Sequence, residues 1–353
     1  MMNIGVNPAV EALQPYVPGE QPRDPAVIKL NTNESPYPAA PQVREAVRRA
    51  ADDAAFNKYP DPWSTRLRAA LAKRAGVTTD EVLPGNGSDE VLRLICHAFL
   101  RPGTGDRIGM LDPTYVLYET LAAMFGCGTQ RFAVSAPDYA IPPAAIEADV
   151  KVLFIASPNP PYGTYYTPEA LDEVAAARPE RLVVIDEAYA DFAGGSALEV
   201  YRRRENVILT RTFSKSMSLA GLRVGYALAH GPLFAQLAKI KDSYNLDQLC
   251  QTAAEAALSS EAENYYAARN AEICANRDWL AGELRKRGFD VPVSRGNFVF
   301  ARRPGAKALY EALKARKILV RYFAVPLLDD GVRITIGTRE QLNALLAAID
   351  ETG

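Results

Sequence analysis

The chain has 353 residues, 48% of them hydrophobic, with 40 basic against 42 acidic side chains and a net charge of −2. Such a length suggests two domains around a sizeable core. The balanced charge excludes a general pull toward nucleic acid or an anionic membrane, so an anionic ligand would have to be met by locally placed arginines or helix N-termini.

The four cysteines, Cys96, Cys127, Cys250 and Cys274, form no CxxC pair. That argues against a disulfide framework and a zinc site, and no metal is expected. The first twenty residues lack the basic start and apolar centre of a secretory signal. No apolar run reaches membrane-spanning length, and a reduced, cytoplasmic location is the simplest expectation. His97, inside VLRLICHAFL, and His230, in the turn AHGP, are read as packing or surface residues. Histidine is therefore not expected to be the main acid or base.

In chain order, residues 1–30 are rich in Pro and Gly and read as an extended arm joining the smaller domain. From about residue 40 to 230, short apolar runs alternate with helical patterns: RIGML (107–111), KVLFIAS (151–157), RLVVIDEA (181–188), NVILTRT (206–212) and RVGYALA (223–229). Runs of this kind, bounded by turn residues, suit strands buried on both faces. One intervening helix, 167–177, has Thr167 to cap it and Pro168 for its first turn. The alternation predicts an α/β fold with a mostly parallel sheet covered on both sides, over residues 31–245. Residues 246–353 read as a smaller α+β domain, with a long helical stretch over roughly 248–287, strand-like GFDVPV, NFVFAR, ILVRYF and GVRITIG, and helices at 305–316 and 338–350.

The motifs follow the same order. KYPDP presents Tyr59 in a Pro-flanked turn. LPGNGSDE (83–90) runs from a Gly-rich turn into a helix, where the N–H groups of Gly87, Ser88 and Asp89 can face an anion; an ordinary capped helix start is the competing reading. LDPTY places Tyr115 after a strand, where a ring can stack on a planar ligand or simply fill core. RLVVIDEAYADF delivers Asp186 to the C-terminal end of a strand, the edge at which open α/β sheets bind ligands. A carboxylate there can hold a protonated pyridine nitrogen cationic, and Tyr189 can donate to the ring phenolate oxygen; alone, Asp186 could equally be a helix cap.

TFSKSMSLAGLRVGYA (212–227) sets Lys215 between small hydroxyl residues just after a buried strand, with Arg223 eight residues on. A lysine attacks a carbonyl only when neutral, and Thr212, Ser214 and Arg223 suit a phosphate dianion. A lone SK pair is usually a solvated turn lysine; the whole string is far more specific. Finally, Arg321 and Arg333 lie in strand-like runs, where apolar neighbours make a cation costly unless it meets an anion. They suit either structural salt bridges or a clamp for carboxylate and phosphate groups.

Taken together, PYVPGE, KLNTNESPYP, KYPDP, GNGSDE, DPTY, SPNPPYG, VVIDEAY, TFSKSMSLAGLRVGY, GNFVF and RITIGT resemble the fold-type-I pyridoxal-phosphate (PLP) aminotransferases, specifically the histidinol-phosphate aminotransferase family, nearly end to end. The resemblance implies Lys215 as the Schiff-base lysine and the proton shuttle between Cα and C4′. Asp186 would bind the pyridine nitrogen, Tyr189 the phenolate oxygen, and Tyr115 would stack on the ring. Gly87, Ser88, Asp89, Thr212, Ser214 and Arg223 would surround the phosphate. Tyr59 would reach that phosphate from the other subunit of a homodimer. Arg321 and Arg333 would grip the substrates, with Asn33 and Tyr16 nearby.

One string departs from the family pattern S-P-N-N-P-T-G: here it is Ser157-Pro158-Asn159-Pro160-Pro161-Tyr162-Gly163. The second Asn, which contacts the phenolate oxygen, is Pro160; either Asn159 takes over or the contact is absent. The implied activity is ping-pong transamination between histidinol phosphate and 2-oxoglutarate in histidine biosynthesis. The rivals are an aromatic amino-acid aminotransferase, a PLP lyase or decarboxylase, and a non-catalytic protein that keeps the fold. The intact set of Lys215, Asp186 and Arg223 argues against the last.

Overall fold

A computed structural model describes residues 5–6, 8–11, 13, 19–53 and 55–352. Tyr16 lies outside the described residues. The larger sheet has seven strands in the order β2-β8-β7-β6-β5-β3-β4. These are β2 (Val82–Asn86), β3 (Arg107–Asp112), β4 (Gly128–Ala133), β5 (Val152–Ala156), β6 (Leu182–Asp186), β7 (Val207–Thr212) and β8 (Val224–Ala229). β3 to β7 run parallel to one another, and β8 runs antiparallel to both neighbours, β2 and β7.

The central strands β5 and β6 are buried at every position. Their side chains alternate between two packed layers. Leu153, Ile155, Val183 and Ile185 join one apolar cluster, whereas Val152, Phe154, Leu182 and Val184 join another on the opposite face. A two-residue period buried on both faces is what helices on each side of a sheet produce. The five apolar runs read from the sequence become β3, β5, β6, β7 and β8. The strands that reading did not pick out are the two edges. β2 carries Pro84 and Gly85, and β4 (GTQRFA) is largely exposed, so neither shows a continuous apolar run. Proline is tolerated in β2 because an edge strand leaves one side of its ladder unpaired.

A second, three-stranded sheet is ordered β11-β12-β9, with β9 Phe298–Arg302, β11 Arg321–Tyr322 and β12 Gly331–Thr335. A third pairing joins β1 (Ile28–Lys29) in parallel to β10 (Ile318–Leu319). ILVRYF is thus split, with β10 pairing to β1 and β11 to β12. Leu30, beside β1, packs into the apolar cluster formed by these strands and the helices Ala306–Ala315 and Arg339–Glu351. The expected long helix is also two helices, Gln248–Ala257 and Ser260–Lys286. The second restarts where the Ser259 side chain accepts from the Ala262 N–H, and Asp247 caps the first by accepting from Cys250. Thr167 caps the helix Pro168–Ala177 as expected. Among the described residues no helix is long and apolar enough to cross a membrane.

Candidate active site

Because β8 is reversed, its N-terminal end lies at the same edge as the C-terminal ends of β2, β3, β5, β6 and β7. GNGSDE, DPTY, VVIDEAY and TFSKSMSLAGLRVGY all open at that edge. A cavity there is lined by Ser88, Asp89, Tyr115, Ala156, Pro160, Asp186, Ala188, Tyr189, Thr212, Ser214, Lys215 and Arg223, and encloses about 590 Å³ including its mouth. A roomier cleft, about 1080 Å³, lies behind Ser216 and Met217 against the helix Ser260–Lys286, but holds neither Lys215 nor Asp186. The chemistry belongs to the smaller cavity.

At one end is a cradle for an anion. The helix Gly87–Phe99 starts there, so unpaired N–H groups of its first turn and its dipole face the cavity. Thr212 Oγ1 lies 3.0 Å from Ser214 Oγ, and Arg223 Nη1 donates to Ser214 Oγ at 3.2 Å. Two glycines make the cradle tight. Gly87 has φ 77°, and a Cβ there would sit 2.6 Å from Arg223 Nη2. A Cβ on Gly225 would sit 2.3 Å from the Ser88 nitrogen. The glycines of GNGSDE and LRVGY thus let two distant segments touch. An aspartate beside a phosphate would repel it, yet the Asp89 carboxylate is already committed: it accepts from Arg223 Nη2 at 3.1 Å and from the Tyr115 hydroxyl at 3.1 Å. Asp89 therefore orients Arg223 and Tyr115.

At the other end is Asp186. It is 4% exposed, and its carboxylate accepts from the Tyr118 hydroxyl at 2.8 Å and from the Ala188 N–H at 3.1 Å. No cationic side chain lies within 4 Å of it among the described residues. Burial accordingly raises its pKa to about 6, against the opposing effect of the Tyr118 bond. A buried acid with two donors and no counter-charge fits a protonated ring nitrogen. Tyr118, which sequence reading missed, is itself fully buried, stacks on Phe154 at 4.7 Å and meets Tyr115 edge-on. Its one signal was its place in the first turn of the helix Leu117–Met124, three residues after Tyr115.

Between these ends lie Lys215 and Tyr189. Lys215 Nζ is 5.8 Å from the Tyr189 ring centroid and donates to the Thr32 carbonyl at 3.4 Å. Asn33 Nδ2 donates to Tyr189 Oη at 3.0 Å. Asn159 does not line the cavity: its Oδ1 accepts from Thr114 Oγ1 at 2.6 Å and its Nδ2 donates to the Pro113 carbonyl at 2.9 Å. Pro160 occupies the cavity wall instead.

Arg321 and Arg333 are register partners on β11 and β12, and both guanidinium groups lie 5.5 Å from the Phe323 ring. Arg333 also lies 5.7 Å from the Phe298 ring, whose face or edge meets Tyr189 at 5.0 Å. Arg333 is thus one aromatic ring away from Tyr189 and the cavity, and Arg321 shares the Phe323 ring with it. Tyr59 is elsewhere, 79% exposed and stacked on Tyr244 at 4.3 Å. His97 packs against Phe125, and His230 stacks on Tyr201, both away from this edge.

An edge that can grip a phosphorylated pyridine aldehyde by its ring nitrogen and its phosphate, with a single amine between, is the working part of a PLP-dependent aminotransferase of fold type I. Comparison with known proteins agrees. The family described as aminotransferase class I and II matches residues 25–349. Histidinol-phosphate aminotransferase of Geobacter sulfurreducens is 44% identical over 349 residues, 98% of each chain. That of Synechocystis is 43% identical, covering 98% of this chain and 97% of its own. The crystal structure of histidinol-phosphate aminotransferase from Sinorhizobium meliloti in complex with pyridoxal-5′-phosphate superposes with a TM-score of 0.88 at 25% identity, over 99% of this chain and 98% of that one. The chain belongs to the class I and II aminotransferases, in the histidinol-phosphate aminotransferase family, and its cofactor is pyridoxal 5′-phosphate.

Proposed function

We propose that this enzyme transfers the amino group of histidinol phosphate to 2-oxoglutarate, as a cytoplasmic homodimer. The observation that carries the reading is the near-complete alignment, at 44% identity, with a histidinol-phosphate aminotransferase. The pairing of Arg321 with Arg333 on one sheet supports it, since a phosphate monoester and a dicarboxylate both need cationic recognition. We assign residues 31–245 to cofactor binding and residues 246–353, with the arm 1–30, to a smaller unit carrying the substrate arginines.

PLP supplies an electron sink for the pair left when a substrate Cα loses its proton. The chain's own residues do the rest. Asp186, held ionised by Tyr118 and Ala188, keeps the ring nitrogen protonated. Ser88, Thr212, Ser214 and Arg223 would anchor the phosphate, and Tyr115 would face the ring. Lys215 takes the Cα proton and returns it at C4′. Arg321 and Arg333, with Asn33, orient donor and acceptor in turn, so kinetics are ping-pong. Tyr59 completes the phosphate site of the partner subunit. An exposed aromatic group of Phe56, Tyr59, Trp63 and Tyr244 suits a face covered by a second copy.

The test is a donor panel of histidinol phosphate, phenylalanine, tyrosine and glutamate, compared by kcat/KM. Histidinol phosphate is expected to lead. A clear preference for phenylalanine would replace this reading with the aromatic aminotransferase.

A further inference from the structure

Pro160 stands where the family pattern S-P-N-N-P-T-G implies an amide donor, and the structure offers a substitute. Pro160 has neither a side-chain donor nor an N–H. Asn159 has its carbonyl and amide engaged by Thr114 and Pro113. The Asn159 side chain is thus turned toward Thr114 and Pro113 and does not line the cavity, where Pro160 stands instead. Across the cavity, Asn33 is 1% exposed and sits at φ 54°, a conformation asparagine tolerates. Three contacts from the small sheet and its approach hold it. Its N–H donates to Thr335 Oγ1 at 2.9 Å, its Oδ1 accepts from the same hydroxyl at 3.1 Å, and its carbonyl accepts from Asn297 Nδ2 at 3.0 Å.

That arrangement fixes the direction of the remaining bond. With Oδ1 engaged by Thr335, the group facing Tyr189 is the NH2, which can only donate. Tyr189 Oη must accept, and its own hydrogen must point elsewhere. The Tyr189 ring is held edge-on by Phe298 at 5.0 Å, and Tyr189 lines the cavity. We propose that Asn33 is a positioning residue that turns the Tyr189 hydroxyl hydrogen toward the ring oxygen of bound PLP, replacing the donor lost at Pro160. The inference rests on the reading that Tyr189 meets that oxygen. It also ties the small sheet, through Thr335 and Asn297, to the electronic state of the cofactor. A hydroxyl that accepts one hydrogen bond is a better donor in the next, so the relay strengthens the Tyr189 contact.

The readout is the pH midpoint of the visible absorption change of the holoenzyme without substrate. Donation to the ring oxygen spreads its negative charge and weakens the hold on the proton at the Lys215 nitrogen, so each donor lowers the midpoint. The other charged or titratable groups facing this centre are Asp89, Tyr115, Tyr118, Asp186, Lys215, Arg223 and, from the small sheet, Arg333, and all stay unaltered in the variants. Tyr189→Phe is expected to raise the midpoint by about one pH unit, the equivalent of one hydrogen bond. Asn33→Gly, which suits the positive φ, should raise it by roughly half as much, and should add nothing in a Tyr189→Phe background. Pro160→Asn, which leaves the packing of Asn33 alone, should lower the midpoint and shrink the Tyr189→Phe shift.

If Tyr189→Phe moves the midpoint while Asn33→Gly does not, or if Asn33→Gly adds its full shift without Tyr189, the relay is refuted and the assignment of Tyr189 stands. If Tyr189→Phe itself moves nothing, the underlying reading fails. A Pro160→Asn protein with an unchanged midpoint refutes the claim that a donor is missing there. A purely structural Asn33 would lower Tm in the Asn33→Gly protein and leave the midpoint in place.

Discussion

The two sheets bring side chains to the cavity in different ways. The larger one does so through strand ends: Asp186 closes β6, Thr212 closes β7, and Gly87 follows β2, each fixed by a ladder buried on both faces. The smaller one does so through register and through a clamp on a loop: Arg321 opposite Arg333, and Asn33 pinned by Thr335 and Asn297. The first arrangement suits a cofactor, whose ring and phosphate keep the same geometry in every turnover. The second rests on its own apolar cluster, so its arginines belong to a separately packed unit that meets the ring site through Asn33 and Phe298. Variants at each edge should separate these tasks.

The largest effect is expected from Lys215→Ala, which removes the one amine of the cavity. Turnover should fall by at least about a thousandfold, the scale of acid–base and nucleophilic catalysis together. Tm should hold within a few degrees, because Lys215 makes one long contact to a carbonyl. Single-turnover assays with circular dichroism on the same sample check both halves. Normal turnover would break the assignment of the large sheet edge.

Next is Asp186→Asn, expected to reduce kcat by roughly a hundredfold to a thousandfold, as for loss of one preorganised electrostatic group. It carries a second signature in the cofactor-free protein. Burial pushes the folded pKa of Asp186 up to about 6, above the ordinary 3.8 of an exposed aspartate. The folded state therefore holds a proton that the unfolded state releases earlier. The stability this contributes is full below about pH 4 and is lost as pH rises through about 6, a decline worth about 3 kcal/mol. Melting curves of wild-type and Asp186→Asn apoprotein between pH 4 and 8 should show the decline in the first and its absence in the second.

Arg333→Ala should act on the other sheet, raising KM for the substrates by roughly thirtyfold to a hundredfold, the loss of a charge-assisted hydrogen bond. Cofactor retention should stay near wild type, because Arg333 sits beyond the Phe298 ring from the cavity. A loss of PLP in this variant would break the division between the two edges.

The sequence shows this division unevenly. The central strands were legible because burial on both faces leaves continuous apolar runs such as LVVID. The edge strands β2 and β4 were not, because one side of their ladder faces solvent or a turn and permits Pro84, Gly85 and Gln130. Lys215, Asp186 and Arg223 were legible because strand-end chemistry is local in sequence. Tyr59 gave a motif and no geometry, since among the described residues its ring stacks on Tyr244 and on no cavity residue. The break at Leu258 was hidden by a helical pattern that continues across it, and the Asn33–Tyr189 contact spans 156 residues, a distance no local pattern encodes.

Tyr118 is the residue of the large edge that local pattern concealed, and it gives the smallest and sharpest prediction. Its hydroxyl is the side-chain donor that holds Asp186, and its ring is fixed by stacking on Phe154. Tyr118→Phe keeps the ring and deletes the bond. A bond to an ionised group is worth about 1.5 kcal/mol or somewhat more, so kcat should fall by about tenfold with KM little changed. In the cofactor-free protein the same deletion removes an interaction that lowers the Asp186 pKa, so the midpoint must move above 6, and the stability decline must extend to higher pH. A Tyr118→Phe protein that loses stability equally at every pH would show Tyr118 to be packing alone. A decline displaced upward, together with the loss in kcat, would show that the buried acid of the large sheet depends on its tyrosine.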